Sequence, residues 1–185
     1  AMLAELDRRS ARVERFLQAA AETNMRIANC TTAAQYFHLL RRQAALLETD
    51  PLPLVVLTPK SLLRHPLPAS PLTMLAEGQW QPVIDDAQAE PETIRRVLLC
   101  SGKVAVDLLT SKLRPLHPEV AIVRVEQLYP FPLTDLQALL ARYPALQALV
   151  WLQEEPENMG AWEAVRQRLL ELSDQRWPLR YIGRP

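Results

Sequence analysis

Cys100-Ser101-Gly102-Lys103 places a hydroxyl, a glycine and a cation where an apolar run gives way to a helical pattern. Glycine allows close backbone approach and a helix start offers free N–H groups, so the tetrad suits a phosphate or a carboxylate. It lacks the GxxxxGK[ST] spacing of a nucleotide-binding loop, and a tight strand-to-helix turn with an exposed lysine accounts for the same residues. Thr58-Pro59-Lys60-Ser61 with Arg64 and His65 follows another apolar run. These basic groups can hold an anion or a partner's carboxylates, or form a solvated turn. Arg124 and Glu126 are two apart and share one face of an extended segment. Gln127 follows, and then Leu128-Tyr129-Pro130-Phe131-Pro132, which buries either against a partner or as ordinary core closure. Glu154 and Glu155 are adjacent on an extended segment and point to opposite sides, so they form no acid/base pair by themselves.

Each cluster ends an apolar run: LPLVVL, RRVLLC, VAIVRVEQ and LQALVWL. Those runs read as buried strands, and in open α/β sheets ligands gather at the carboxyl ends of strands. No Ser/His/Asp set, Cys/His pair or GxGxxG motif is present, so no catalytic constellation can be assembled. His38, His65 and His117 lie far apart, without metal-ligand spacing. Cys30 and Cys100 fit small buried thiols better than a disulfide framework. The 21 basic and 21 acidic residues balance, which argues against a nucleic-acid binder. No apolar stretch reaches the ~20 residues of a membrane span, and no secretion signal is visible.

Periodicity predicts a helix over residues 2–22, a strand at Met25–Ala28, a helix from the Thr31/Thr32 cap to about Leu47, and a strand at Leu54–Leu57. Residues 59–92 carry several prolines, a short helical piece near Leu72–Ala76 and the acidic run Asp85–Glu92, and read as a linker packed on the surface. Strands follow at Val97–Cys100, Val120–Val125, Leu146–Leu152 and Leu179–Ile182, with helices at Val104–Leu113, Leu133–Arg142 and Ala161–Leu172 between them. The expectation is an α/β fold, a mostly parallel sheet with helices on both faces. The first 60 or so residues hold only two strands on this reading, too few for a free-standing domain.

The clusters in this order resemble the C-terminal part of the dehydrogenase (first) component of the 2-oxoglutarate dehydrogenase complex, a thiamine-diphosphate enzyme. The resemblance runs through SARVERFLQ at Ser10–Gln18, TTAAQYFHLLRRQA at Thr31–Ala44 and PLVVLTPKSLLRHP at Pro53–Pro66. It continues in LLCSGKV at Leu98–Val104, AIVRVEQLYPFP at Ala121–Pro132, QEEPENMGAW at Gln153–Trp162 and RYIGRP at Arg180–Pro185. It implies the tail of a pyrimidine-binding domain over 1–66, a linker over 67–92 and a transketolase-type C-terminal domain over 93–185.

The implied activity of the intact enzyme is decarboxylation of 2-oxoglutarate on thiamine diphosphate and Mg²⁺, in the tricarboxylic acid cycle. The succinyl group then passes to the lipoyl arm of the dihydrolipoamide succinyltransferase component. A homodimer in the bacterial cytoplasm, or in the mitochondrial matrix of a eukaryote, is implied as well. The histidine-bearing GQGPEH-type loop expected before Ser10 is replaced by Ala4-Glu5-Leu6-Asp7-Arg8-Arg9. The chain is therefore expected to bind neither thiamine diphosphate nor Mg²⁺ alone and to be inactive alone. Some relatives bind acetyl-CoA or a nucleotide such as AMP as an allosteric effector near the seam between the two domains. The positions here that could serve such a site are Arg41, Lys60, Arg64, Ser101, Lys103, Arg124 and Gln127. Two alternatives stand beside this reading. One is a non-catalytic interaction or regulatory module, which a start at Met2 would favour; the other is a 2-oxoadipate dehydrogenase segment.

Overall fold

The computed structural model describes the backbone of residues 3–6 and all of residues 12–185. The remaining positions, among them Met2, Asp7, Arg8, Arg9 and the first two residues of the family-like run Ser10–Gln18, lie outside the described residues. The first sheet holds β1 (Leu3–Leu6), β2 (Arg26–Ala28), β3 (Leu54–Leu57) and β7 (Gln127–Tyr129) in the order β1-β3-β2-β7. The second holds β4 (Val83–Ile84), β5 (Arg96–Cys100), β6 (Val120–Val125), β8 (Ala148–Pro156) and β9 (Leu179–Arg184) in the order β4-β6-β5-β8-β9. β7 and β4 run antiparallel to their neighbours and every other pairing is parallel.

Helices cover both faces of the second sheet, as the alternation predicts. α4 (Lys103–Leu109) packs on one face beside Leu98, Ile122 and Leu152. α5 (Leu133–Leu140) and α6 (Trp162–Ser173) close the other, where Leu99, Val123 and Trp151 meet Leu136, Val165 and Leu169. α1 (Val13–Ala19) joins the same core through Leu17, and α2 (Ala33–Ala45) covers β2 and β3 through Leu39. Thr32 caps α2, its hydroxyl accepting from Gln35 N at 3.2 Å.

Three strands depart from the sequence expectation. Of the helix predicted over residues 2–22, the described residues hold α1, and Leu3–Leu6 pairs with Leu54–Leu57 in β1. Tertiary pairing overrides local helix propensity there. Gln127–Tyr129, expected as loop, becomes β7 and enters the first sheet against Ile27 and Ala28. Val83–Ile84, inside the stretch read as linker, becomes β4 and lines up with Val125 and Arg124. β8 and β9 also run further than predicted, to Pro156 and Arg184.

The acidic run after β4 is pinned to the second sheet. Asp86 is buried, and its carboxylate accepts from Ile122 N at 2.8 Å and Gln88 N at 3.0 Å and pairs with Arg114. Asp85 accepts from Arg142 at 2.8 Å and from the Tyr143 hydroxyl. Burial, and then the hydrogen bond to Asp85, raise the Tyr143 pKa. Leu72–Ala76 forms the short helix α3, whose Met74 carbonyl lies 2.8 Å from His38 Nε2 on α2.

Candidate functional site

Four strand ends converge on one seam between the two sheets. From β2 come Asn29, Cys30 and Thr31; from the β6–β7 junction, Glu126; from β5, Ser101 and Gly102; from β8, Gln153, Glu154 and Glu155. Asn29 N donates to the Glu126 carbonyl at 2.8 Å, which ties the two sheets together just beyond the β2–β7 ladder. The Glu126 side chain is fully buried. It accepts from Thr31 N at 2.8 Å and from the Thr31 hydroxyl. That hydroxyl in turn accepts from Arg124 Nη1 at 2.9 Å. Arg124 and Glu126 thus meet through Thr31.

Burial raises the Glu126 pKa to about 7, against the hydrogen bonds from Thr31 and the charge of Arg124. Burial also pushes the Cys100 thiol up to about 12 and Cys30 well above its ordinary value. Neither is poised as a thiolate nucleophile or metal ligand. Among the described residues no cluster of three His, Cys, Asp or Glu side chains could hold a metal ion.

A cavity of about 180 Å³ opens at this seam. Leu57, Leu128, Trp151 and Met159 give it apolar walls, and Asn29, Ser101, Gln153, Glu154 and Glu155 line its polar side. Asn29 Oδ1 and Ser101 Oγ are both buried without a hydrogen-bond partner. Gly102 sits at φ +67°, and a Cβ there would lie 2.3 Å from Asn29 Nδ2. The glycine in the Ser-Gly-Lys turn thus answers both to its positive φ and to the approach of Asn29 from the end of β2.

Gln153 organises the β8 end. Its Oε1 accepts from Trp151 Nε1 at 3.0 Å and from the N–H groups of Ala161 and Trp162 at 3.1 and 3.0 Å. Its Nε2 donates to the Met159 carbonyl at 2.6 Å and the Pro156 carbonyl at 3.2 Å. Gln153 therefore folds the QEEPENMGAW loop and starts α6. Glu14 on α1 accepts from Gly160 N at 3.1 Å and ties that loop to the first unit.

The seven residues expected to hold an effector differ in surroundings. Arg41 is exposed on α2, and its neighbour Arg42 donates to Gln127 Oε1 at 2.8 Å. Lys60 and Arg64 are exposed on a 3₁₀ turn after β3. Ser101 lines the cavity. Lys103 pairs with Asp107 one turn along α4 and with Glu154 at 3.9 Å. Arg124 is engaged by Thr31, and Gln127 Nε2 donates to the Pro130 carbonyl at 2.8 Å. Glu154 and Glu155 both line the cavity, but the Lys103 pair occupies the first of them. Sequence reasoning missed Asn29, Gln153 and Glu14, whose only local mark is a polar residue at a strand end or beside an apolar helical stripe. The aromatic-proline segment closes the core, where Tyr129 and Phe131 are partly buried, and the Tyr129 hydroxyl accepts from Thr23 N at 2.9 Å.

Comparison with known proteins divides the chain between residues 66 and 69. The family model described as 2-oxoglutarate dehydrogenase C-terminal matches residues 69–185, and that of the transketolase pyrimidine-binding domain matches residues 7–66. Similar proteins include the 2-oxoglutarate dehydrogenase E1 component of Bacillus mycoides (strain KBAB4), 49% identical over 183 residues, covering 95% of this chain and 19% of the relative. Those of Bacillus cereus strains AH820 and G9842 are each 48% identical with the same coverage. The chain spans about a fifth of the length of the curated relatives it matches.

Proposed function

The chain belongs to the 2-oxoglutarate dehydrogenase C-terminal family, and on that premise we propose that it serves as the C-terminal segment of a thiamine-diphosphate-dependent 2-oxoglutarate dehydrogenase. The enzyme would decarboxylate 2-oxoglutarate and transfer the succinyl group to lipoyl groups of a dihydrolipoamide succinyltransferase, as a cytoplasmic homodimer. The observation that carries the reading is the near-half identity to E1 components over 95% of the chain, a span that takes in both units. Residues 1–66 would form the tail of the pyrimidine-binding domain and 93–185 the C-terminal domain, with 67–92 strapped between them.

The described residues do not fit thiamine diphosphate with Mg²⁺. They contain no metal-ligating cluster, and the carboxylates at the seam cavity, Glu14, Glu154 and Glu155, outnumber the cations there, Arg12 and the Lys103 that pairs with Glu154. No step of the reaction is routed through them. Their part is structural: Glu126, Thr31 and Asn29 fix the second unit on the first, and Gln153 and Glu14 shape the loop that faces the seam. Thiamine diphosphate would supply the carbanion chemistry elsewhere in the enzyme.

The direct test grafts this chain in place of the matching segment of the Bacillus mycoides E1 component. The chimaera should fold, dimerise and turn over 2-oxoglutarate. A folded dimeric chimaera without turnover overturns the reading, and turnover by the isolated 185-residue chain supplied with thiamine diphosphate refutes its purely supporting part. Effector binding is the regulatory half of the proposal, with Arg41, Lys60, Arg64, Ser101, Lys103, Arg124 and Gln127 as the ligand shell. Isothermal titration of acetyl-CoA and of AMP should show saturable binding of one of them, weakened in Lys103→Ala. Absence of heat from both on a folded sample removes this half.

A further inference from the structure

The two faces of the second sheet are covered unequally. Val97, Leu99, Val123 and Trp151 merge with α5 and α6 in the main core. On the opposite face the α-helix that packs is α4, which is seven residues long and lies on β6 and β8; the short 3₁₀ turn Arg114–Leu116 follows it at the groove's edge. Beyond α4 a groove of about 330 Å³ remains over Val150, Leu152 and Ile182. Ile182 is 49% exposed and Leu113, at the groove's edge, 63%. A parallel sheet is ordinarily buried by helices on both faces, because its backbone ladder and apolar side chains need cover from water.

The rim of this groove has one sign of charge. Arg96, Arg114, His117 and Arg180 line it, and among the described residues no carboxylate does. Arg114 is taken up by Asp86, and His117 lies 3.3 Å from Glu119, whose carboxylate also feels the charge of Arg96. Arg96 and Arg180 are exposed at the rim, on β5 and β9. Along β9, Arg180 and Ile182 lie two apart and share the groove face, so cation and apolar floor are presented together.

We propose that this groove docks an amphipathic protein helix whose apolar stripe is flanked by acidic side chains. The helix completes the cover that α4 begins, its stripe lies on Leu152 and Ile182, and its carboxylates meet Arg96 and Arg180. Residues at i, i+3, i+4 and i+7 supply such a stripe, and arginine forks suit carboxylates.

The test is a display selection on the immobilised chain, from peptides about five helical turns long with randomised surfaces. Binders should converge on an apolar i, i+3, i+4, i+7 stripe with Glu or Asp beside it. Their affinity should fall with added salt, and Arg180→Glu should weaken it about tenfold. Ile182→Glu, at an exposed position, should abolish it while circular dichroism stays unchanged. Binders that are basic, that bind as extended strands, or that survive both substitutions overturn the proposal. So does a selection without binders. Sedimentation in which the wild-type chain pairs with itself while Ile182→Glu stays monomeric assigns the face to a second copy and overturns it equally.

Discussion

Glu126 holds a carboxyl away from water while two donors from Thr31 and the Arg124 guanidinium adjust its charge. Its pKa in the folded chain, about 7, stands above the ordinary 4.5. Between those values the folded chain keeps a proton that the unfolded chain has released. The associated stability is complete below about pH 4.5 and is lost as pH rises through about 7. The difference is on the order of 3 kcal/mol. Glu126→Gln keeps the side chain's size and removes its ionisation. Melting temperature measured from about pH 5 to 8 should fall with pH in the wild type and do so less steeply in Glu126→Gln. Parallel profiles would show that the carboxyl does not titrate in this range.

Gly102 gives a second residue-scale prediction. Its φ is positive, and a methyl group on its α-carbon would stand 2.3 Å from Asn29 Nδ2, so alanine is strained in its backbone and must displace the Asn29 side chain. Gly102→Ala should lose about 1–3 kcal/mol in denaturant titration, and pairing it with Asn29→Ala should recover part of that loss by removing the clash. None of this was legible in the tetrad itself. Ser101-Gly102-Lys103 reads as an anion loop, and only the folded chain shows that the glycine answers to Asn29, which lies more than seventy positions earlier.

At the scale of elements, Asp86 decides how the segment after α3 is held. Its carboxylate serves Ile122 N, Gln88 N and Arg114, with the Asp86 side chain 1% and the Arg114 side chain 11% exposed. Asp86→Ala leaves a buried N–H and a mostly buried guanidinium without their partner. It should cost about 3 kcal/mol and release amide protection at β4. Arg168→Ala breaks only an exposed pair with Glu171 and should change stability by less than about 0.5 kcal/mol. A comparable loss in both variants would contradict the buried role of Asp86.

The elements legible in the sequence are those whose signal is local. Leu54–Leu57 and Val120–Val125 are apolar almost throughout and match their strands end to end. Gln127-Leu128-Tyr129 carries no such run. Its strand exists because Ile27 and Ala28, a hundred positions earlier, present an open edge. Val83–Ile84 is too short to announce itself and pairs only because β6 is there. The site was legible as a set of strand ends. It was not legible as a seam, because Asn29, Glu126 and Gln153 acquire their roles from partners in other elements.

At the scale of the whole molecule, the two units share a core. Leu17, Ile27, Val55 and Leu57 of the first lie in one apolar cluster with Val97, Leu128 and Trp151 of the second. Calorimetry should therefore show one cooperative unfolding transition. Thr31→Val removes the hydroxyl between Glu126 and Arg124 and should destabilise the fold by about 1–3 kcal/mol. Two separated transitions in the wild type would contradict a common core.

β7 belongs by chain order to the second unit and by hydrogen bonding to the first. The covalent thread through residues 67–92 is therefore not what keeps the halves together. A protease nick at the exposed Glu77–Gln79 turn should leave two pieces that copurify, each still contributing strands to a shared assembly. The same crossing makes the chain a natural split pair: expressed as two halves divided at that turn, it has a built-in means of finding itself again.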